Sequence, residues 1–514
     1  MARLTRARLR RAFRRESIGV DVSAAFDLVG AVLLYLSPAY LFPAVVALLY
    51  SESPWPFVIA GLVTAAFGAF LQLVATGREF ASPREGFLVV ALTWLLVPVF
   101  GALPYVIAGH GVLSQPLNAY FESVSGFTAT GATVVSDFSE LSRSLGMWRQ
   151  FTQWLGGMGI VVLAVAILPQ LRVGGRQLLQ SELPGPTELE RLTVSIREVA
   201  RRLWILYVAL TVILIALLSA YGWLGLDDRM DLFDATAHAF TTVSLGGFST
   251  EGNSIAAFGS LVQWTIALFV VIAGVNFLRL FRVFVQRQPR AVTRDDEFRL
   301  YLFILSLASA VLLLELLAEG TFGFWDSVRH AVFQAVSIMS TAGFATSDYT
   351  AWGPLATITL LGLMFIGASA GSTGGAIKVV RHVLIGRILR RELERTVHPE
   401  VVSPIRLNRS VVDEKTLEAV LAFVLIYLGL FAVGSLALVL DSFRAEVVLS
   451  PFEAMGAAAA TLGNVGPAFG FAGPLGSYES FSGLSKGVMI ALMWMGRVEI
   501  IPIIVLFTRQ YWRA

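Results

Sequence analysis

The stretch NAYFESVSGFTATGAT, Asn118 to Thr133, decides how the chain is read, because degraded copies of it recur three more times. Setting Gly131 against Gly247, Gly343 and Gly466 aligns DATAHAFTTVSLGGFS (Asp234 to Ser249), HAVFQAVSIMSTAGFA (His330 to Ala345) and EAMGAAAATLGNVGPA (Glu453 to Ala468) without a gap. The second position is alanine each time: Ala119, Ala235, Ala331 and Ala454. A few residues upstream stand Gln115, Asp231, Ser327 and Ser450, of which the last three are good N-caps. Pro116 and Pro451 then fall in the first helical turn, and Ser450-Pro-Phe-Glu453 has the form of a capping box. Each copy therefore reads as a short helix with a defined start, and four copies in one chain imply one four-part structure.

Each short helix runs out into small and hydroxyl residues. These are Thr128, Ala129, Thr130 and Gly131; Ser244, Leu245, Gly246 and Gly247; Ser340, Thr341, Ala342 and Gly343; and Gly463, Asn464, Val465 and Gly466. Glycine there lets the backbone turn its carbonyls to one side. One such cluster is an ordinary interhelical loop, but four in register are what a cation filter needs, since carbonyl oxygens around one axis can replace an ion's hydration shell. Irregular backbone at membrane depth is tolerable only where it lines a wet pathway.

Composition agrees with that setting. The 514 residues are 56% hydrophobic and 15% charged, with a mean hydropathy of +0.72, too apolar for a soluble chain of this length. There is no cysteine, so disulfides and thiolate metal sites are excluded, and the five histidines are scattered. Met1 to Glu16 carries seven arginines without an early apolar segment, which makes a cytoplasmic basic tail touching anionic lipid the expected reading, rather than a signal peptide or a nucleic-acid arm.

Taken in order, an N-terminal hairpin (Ala24 to Leu49 and Trp55 to Ala75) precedes four units, each a membrane helix, a short helix with its loop, and a second membrane helix. The outer helices are expected near Glu85 to Ala108 with Trp148 to Leu171, Leu203 to Trp223 with Leu261 to Phe284, Leu300 to Ala318 with Leu355 to Leu384, and Leu417 to Leu440 with Leu484 to Phe507. The expected fold class is an all-α polytopic membrane protein of four pseudo-repeated helix, pore helix, filter loop, helix units around one pore. Its divisions are residues 1–80 (tail and hairpin), 81–172, 173–286, 287–386 and 387–514 (units 1 to 4, the second and fourth with a preceding connector). Arginine and lysine crowd the N-terminus, 172–202, 279–299, 378–415 and the C-terminus, so both termini are expected in the cytoplasm and the four loops on the opposite side. The connectors at 172–201 and 387–413 read as solvated loops or as a basic surface for a soluble partner.

Two features lie inside the membrane. FIGASAGSTGGAIKVVR, Phe365 to Arg381, interrupts what would otherwise be one long helix. Small residues there fit close helix packing, but Gly367 to Gly375 is longer and more polar than packing needs, which points to a mobile constriction below the filter. Arg497, in the middle of the last apolar helix, costs about 2.5–3.5 kcal/mol at the bilayer centre on insertion scales and must face inward with partners. It reads as a donor to backbone carbonyls, as a positive charge in the pathway, or as a pin on the glycine-rich stretch. Glu499, two residues on, points to another face. Trp154-Leu-Gly-Gly-Met-Gly-Ile160 reads as small-residue packing against the first short helix, and no catalytic constellation, P-loop or Walker motif is present.

With these residues in view, the chain resembles a Trk-type potassium transporter subunit of the Trk/Ktr/HKT superfamily. The resemblance is carried by Gln153 to Ile160 with Val165-Ala-Ile-Leu-Pro169, by the four glycine loops, by Gly371-Ser-Thr-Gly-Gly-Ala-Ile-Lys378 and by Arg497, and the leading hairpin is similar to the Trk branch. It implies a potassium-preferring filter at the four glycine loops, where the ion binds, and a gate formed by Gly367, Gly371, Ser372, Thr373, Gly374, Gly375, Lys378 and Arg497. It further implies a homodimer in the cytoplasmic membrane and a cytosolic ring of nucleotide-binding regulatory subunits, with the nucleotide on that partner and no cofactor in this chain. Ala129 stands where a hydroxyl is common and Ser369 where cysteine is often found. The competing readings are sodium- or proton-coupled transport and a scaffold that keeps a dead filter.

Overall fold

The computed structural model describes residues 20, 22–75, 83–166, 196–408, 410–445 and 447–512. The basic tail, Arg78 and most of the connector at 172–201 lie outside the described residues. The hairpin is α1 (Val22–Leu36), α2 (Leu41–Leu49) and α3 (Trp55–Val74), with α1 and α2 offset by a 3-10 turn at Pro38. Gly30 and Gly68 let α1 and α3 touch, because a methyl on either would lie within 2.8 Å of the other's carbonyl oxygen.

The four units follow. Unit 1 is α4 (Pro83–Gly101), α5 (Leu103–Ala108), the short helix α6 (Pro116–Phe127) and α7 (Arg143–Ala166). Unit 2 is α8 (Ile196–Trp223), the short helix α9 (Leu232–Val243), α10 (Ser260–Ala273) and α11 (Phe277–Phe284). After the single turn α12 (Arg290–Thr293), unit 3 has α13 (Asp296–Glu319), the short helix α14 (Phe324–Met339), α15 (Pro354–Leu363) and α16 (Val379–Val397). A two-residue hairpin, β1 (Arg406–Leu407) with β2 (Ser410–Val411), leads to unit 4: α17 (Glu414–Ala445), the short helix α18 (Pro451–Leu462), α19 (Gly483–Arg497) and α20 (Ile501–Leu506).

Among the described residues, six helices are long and apolar enough to cross a bilayer, or seven if one bent pair is a single span. Of the four expected spans that are not among these six, the second helices of units 2, 3 and 4 are interrupted, and that of unit 1, α7, is continuous but is described only as far as Ala166. The break in unit 3 falls where the glycines predict it. The break in unit 2, between α10 and α11, bends the path by 105°; Gly274 ends one piece and Asn276 caps the next, accepting from the N–H of Leu278 (2.9 Å) and Arg279 (3.2 Å). In unit 4 the helix stops at Arg497, and Glu499 (φ 61°) and Ile500 (φ 59°) are left-handed before α20 begins. Pro502 supplies the reason: it has no N–H to offer Val498, so the helix cannot run through.

Two other expectations change. The third short helix starts at Phe324 behind Gly323, so Ser327 is inside it rather than at its cap, whereas Asp231 and the Ser450–Glu453 capping box sit where expected. The stretch 387–413 is a solvated loop only in part: α16 runs on to Val397, Arg391 pairs with Glu414 (2.6 Å) and Arg387 with Asp296 (2.7 Å), while 398–404 is irregular and mostly exposed.

Candidate functional site

The four short helices end in one way, which follows from local hydrogen bonding. The N–H of Thr130, Gly246, Ala342 and Val465 returns to the carbonyl five residues earlier, at Ser125, Thr241, Ser337 and Ala460, each at 2.8 Å. Inside each of these bonds runs a shorter one: Ala129 to Gly126 (2.8 Å), Leu245 to Thr242 (3.1 Å), Thr341 to Ile338 (3.0 Å) and Asn464 to Thr461 (3.3 Å). This pair is the Schellman closure, which needs a left-handed residue. That residue is non-glycine in all four copies: Ala129 (φ 50°), Leu245 (φ 55°), Thr341 (φ 62°) and Asn464 (φ 53°). Two residues later the backbone turns left-handed again at Gly131 (φ 86°), Gly247 (φ 82°), Gly343 (φ 76°) and Gly466 (φ 103°).

Those glycines close a ring. A methyl on Gly131 would lie 2.3 Å from the Gly246 oxygen, one on Gly247 2.0 Å from the Ala342 oxygen, one on Gly343 2.2 Å from the Val465 oxygen, and one on Gly466 2.6 Å from the Thr130 oxygen. Each loop thus seats its glycine on the preceding residue of the next loop, in the order 1, 2, 3, 4 and back to 1. The backbones approach more closely than any side chain permits.

The loops are buried, yet apart from Gly246 and Gly466 the carbonyls at these positions accept no hydrogen bond from any described residue. Buried carbonyls are ordinarily paired. The other polar groups nearby serve to hold the loops. Gln153 on α7 donates to Gly246 O (2.6 Å) and accepts from Phe248 N–H (3.0 Å), while Tyr478 donates to Gly466 O (2.7 Å). Asn464 Nδ2 reaches Thr130 Oγ1 (2.9 Å) and Met493 O (3.0 Å), joining loop 4 to loop 1. Behind loops 1 and 2, Arg149 and Glu122 form a fully buried ion pair at 2.5 Å. Glu122 also accepts from Thr133 Oγ1 (2.8 Å) and Val134 N–H (2.9 Å). Arg149 donates to Ser249 O (2.9 Å) and lies 3.6 Å from the Phe248 ring centroid.

Beneath the ring lies the interrupted stretch of unit 3. Gly367 N–H donates to Ile377 O (2.9 Å), closing the stretch into a loop, and a methyl on Gly367 would meet Gly375 O at 2.3 Å. Gly374 backs onto Ser340 O and Gly375 onto Gly463 O, with methyl distances of 2.8 and 2.3 Å. Gly375 N–H donates to Thr341 Oγ1 (2.8 Å), Thr373 Oγ1 donates to Val243 O (3.2 Å), and Lys378 Nζ donates to Gly374 O. Gly371 and Ser372 form the turn of the loop. Arg497 donates to Thr373 O (2.8 Å) in the loop and to Gly156 O (3.1 Å) on α7. It is therefore both a donor to backbone carbonyls and a pin on the loop. Glu499 pairs with Arg381 instead. Gly156 and Gly496 let α7 and α19 reach the ring, since methyls there would stand 1.9 Å from Phe127 O and Leu462 O.

Two residues that the sequence reading passed over hold the far edge of this loop. Glu297, buried at the start of α13, accepts from Ala370 N–H (2.6 Å) and Val380 N–H (3.2 Å) through one oxygen. Asn276 donates to Ala370 O (2.7 Å), Phe277 N–H donates to Gly371 O (3.2 Å), and Ser369 N–H donates to Gly274 O (3.0 Å). A polar Asn after Gly274 in an apolar run was the available signal for the helix break.

The family model described as TrkH, a cation transport protein, matches residues 55–513. The chain belongs to the TrkH family. Among relatives, the Trk system potassium uptake protein TrkH of Escherichia coli (strain K12) is 37% identical over 95% of this chain and 98% of its own length. The TrkH protein of Halomonas elongata is 36% identical over the same shares, and the TrkG protein of Escherichia coli (strain K12) is 33% identical over 94% and 97%. The crystal structure of the potassium transporter TrkH from Vibrio parahaemolyticus superposes with a TM-score of 0.84 at 35% identity, covering 96% of this chain and 100% of that one. The fold is that of a TrkH-family multi-pass membrane protein.

Proposed function

We propose that the chain takes up potassium through the ring of loops, with the loop at 367–378 and Arg497 as its gate. The observation that carries this reading is the set of buried, unpaired carbonyls on a ring closed by four glycines. Buried oxygens without donors are costly unless something positive meets them, and a dehydrated monovalent cation does so without needing a proton donor. In each loop two residues of positive φ flank one that is not, and this alternation turns successive carbonyls toward the same side. The gate reading rests on contact with every unit: the loop and Arg497 touch Val243, Ser340, Gly463 and Gly156. A guanidinium directly below the ring sets an electrostatic barrier, and withdrawing the loop removes one of its two carbonyl partners. The relatives' names support potassium as the ion, and the basic segments support a mouth outside and both termini inside; a homodimer in the cytoplasmic membrane and a cytosolic nucleotide-binding subunit that moves the loop are what the family resemblance adds to this reading.

Gly131→Ala and Gly343→Ala test the filter. Each places a methyl 2.2–2.3 Å from a neighbouring carbonyl in a left-handed backbone. Rubidium uptake by potassium-uptake-deficient cells, compared with sodium uptake, should lose its selectivity in both variants while the purified proteins stay monodisperse. Parental uptake and selectivity in both would remove the filter reading.

A further inference from the structure

On the face where the short helices begin, a cavity of about 220 Å³ opens between units 1 and 2, away from the ring axis. Its floor includes Gln150, which is fully buried and has no partner for either its amide oxygen or its amide nitrogen. A buried amide with neither group satisfied is rare enough to require an explanation. The walls carry the carboxylates of Asp234 and Glu251 and the rings of Phe138 and Phe233. Arg143 also lines the cavity, but its guanidinium is drawn to Asp231 (3.4 Å) and lies over the Tyr50 and Phe233 rings at 4.7 and 5.3 Å. Asp234 accepts only a neutral hydroxyl, from Thr250 Oγ1 at 2.5 Å, besides its local contacts with the helix start, and neither it nor Glu251 forms an ion pair among the described residues.

Two carboxylates against one committed guanidinium leave the cavity net negative. Its aromatic walls suit a cation that carries carbon. A bare metal ion is disfavoured, since no group of three or more acidic or histidine side chains among the described residues could hold one. The Gln150 amide can take a donor on its oxygen and an acceptor on its nitrogen, so a hydroxyl would satisfy both and a second ammonium the oxygen alone.

We infer that this cavity binds a small organic ammonium of amino-alcohol or diamine size, its charged nitrogen between Asp234 and Glu251 and its second polar group on Gln150. The site is tied to the second loop. Gln153, one turn along α7 from Gln150, holds Gly246 and Phe248, and Ser249 on the cavity wall is held by Arg149 through its carbonyl. Occupancy therefore bears on loop 2; that effect on flux rests on the proposed function, whereas the binding itself does not.

The test is calorimetric titration of the full chain in lipid nanodiscs with ethanolamine and putrescine, at a high potassium chloride concentration and again at a tenth of it, with lithium chloride holding the ionic strength constant. Saturable binding of either amine, with an affinity unchanged between the two salt levels and weakened at least tenfold by both Glu251→Gln and Gln150→Leu, is expected. Glu251 is exposed and Glu251→Gln keeps its shape, so that variant folds even if the buried change does not. Binding by neither amine, binding that potassium displaces in proportion to its concentration, or undiminished binding in Glu251→Gln would each overturn the proposal. So would binding of glycine without ethanolamine, which would put a carboxylate on Arg143 instead.

Discussion

Glu297 offers the sharpest lever on the proposed gate, because one buried carboxylate oxygen holds both ends of the loop's outer edge, at Ala370 and Val380. Hydrogen bonds to a charged group are worth about 1.5–3 kcal/mol each. Glu297→Gln keeps the shape and one acceptor oxygen but removes the charge that strengthens both bonds, so a net loss of about 1.5–3 kcal/mol in favour of the closed loop is reasonable. At about 1.4 kcal/mol per decade, the open population should rise roughly 10- to 100-fold wherever the closed state dominates. Asn276→Ala, which removes an independent hold on Ala370, should act in the same direction. The assay is rubidium efflux from proteoliposomes of the full chain without any regulatory subunit, alongside thermal melts to confirm that both variants fold. Efflux within twofold of the parent in both would refute the idea that these contacts hold a gate shut, and would leave them as packing of α13 against α16.

The Glu122–Arg149 pair should behave as a unit in detergent melts: Arg149→Met alone leaves a buried carboxylate and should cost about 3–5 kcal/mol, whereas adding Glu122→Gln should recover much of that loss. A double variant as unstable as the single one would contradict this. Asp234, at the outer end of α9 beyond the spans, has its carboxyl pushed up to about 6, first by burial and then by Asp231 and Glu251, against the lowering effect of the Thr250 hydroxyl. A raised carboxyl contributes stability that is present below about pH 4 and lost as pH rises through about 6. Relative to Asp234→Asn, the parent's melting temperature should therefore fall between pH 4 and 7, by an amount equivalent to about 1–2 kcal/mol after screening of this partly exposed group; parallel curves would count against it.

Much of this architecture was legible because glycine spacing carries backbone information directly. Gly131, Gly247, Gly343 and Gly466 aligned four loops, and the same four residues close the ring. The left-handed positions two residues before them were not legible, since Ala129, Leu245, Thr341 and Asn464 are residues that avoid that conformation or tolerate it only occasionally. What overrides their preference is the pair of Schellman bonds and the packing around them, which no single-residue tendency reports. The breaks at Asn276 and before Pro502 had local signals that the surrounding apolar runs masked. Nothing in the sequence pairs Glu122, on a short helix, with Arg149, on a membrane helix, because only the tertiary fold makes them neighbours. Glu297 carries no sequence signal of its role either, since that role exists only because the unit 3 loop lies across it.

On the proposed function, the contacts under the ring also tie gate to filter. Gly375 N–H rests on Thr341 Oγ1, and Thr341 is the left-handed residue of loop 3. Moving the loop takes a hydrogen bond from the residue that shapes a filter loop, and at the same time frees the Arg497 nitrogen that had been donating to Thr373 O. A buried guanidinium that loses a carbonyl must find another acceptor or water. Two acceptors come into question: the unpaired carbonyls of the ring above it, or water admitted by the withdrawn loop. If Arg497 is part of the gate, the first outcome would leave the pathway blocked by charge, and conduction would require the second: an opening that hydrates Arg497 as it clears the path. Loop displacement and wetting below the ring are then one event, and a variant that displaces the loop while keeping that space dry should remain closed.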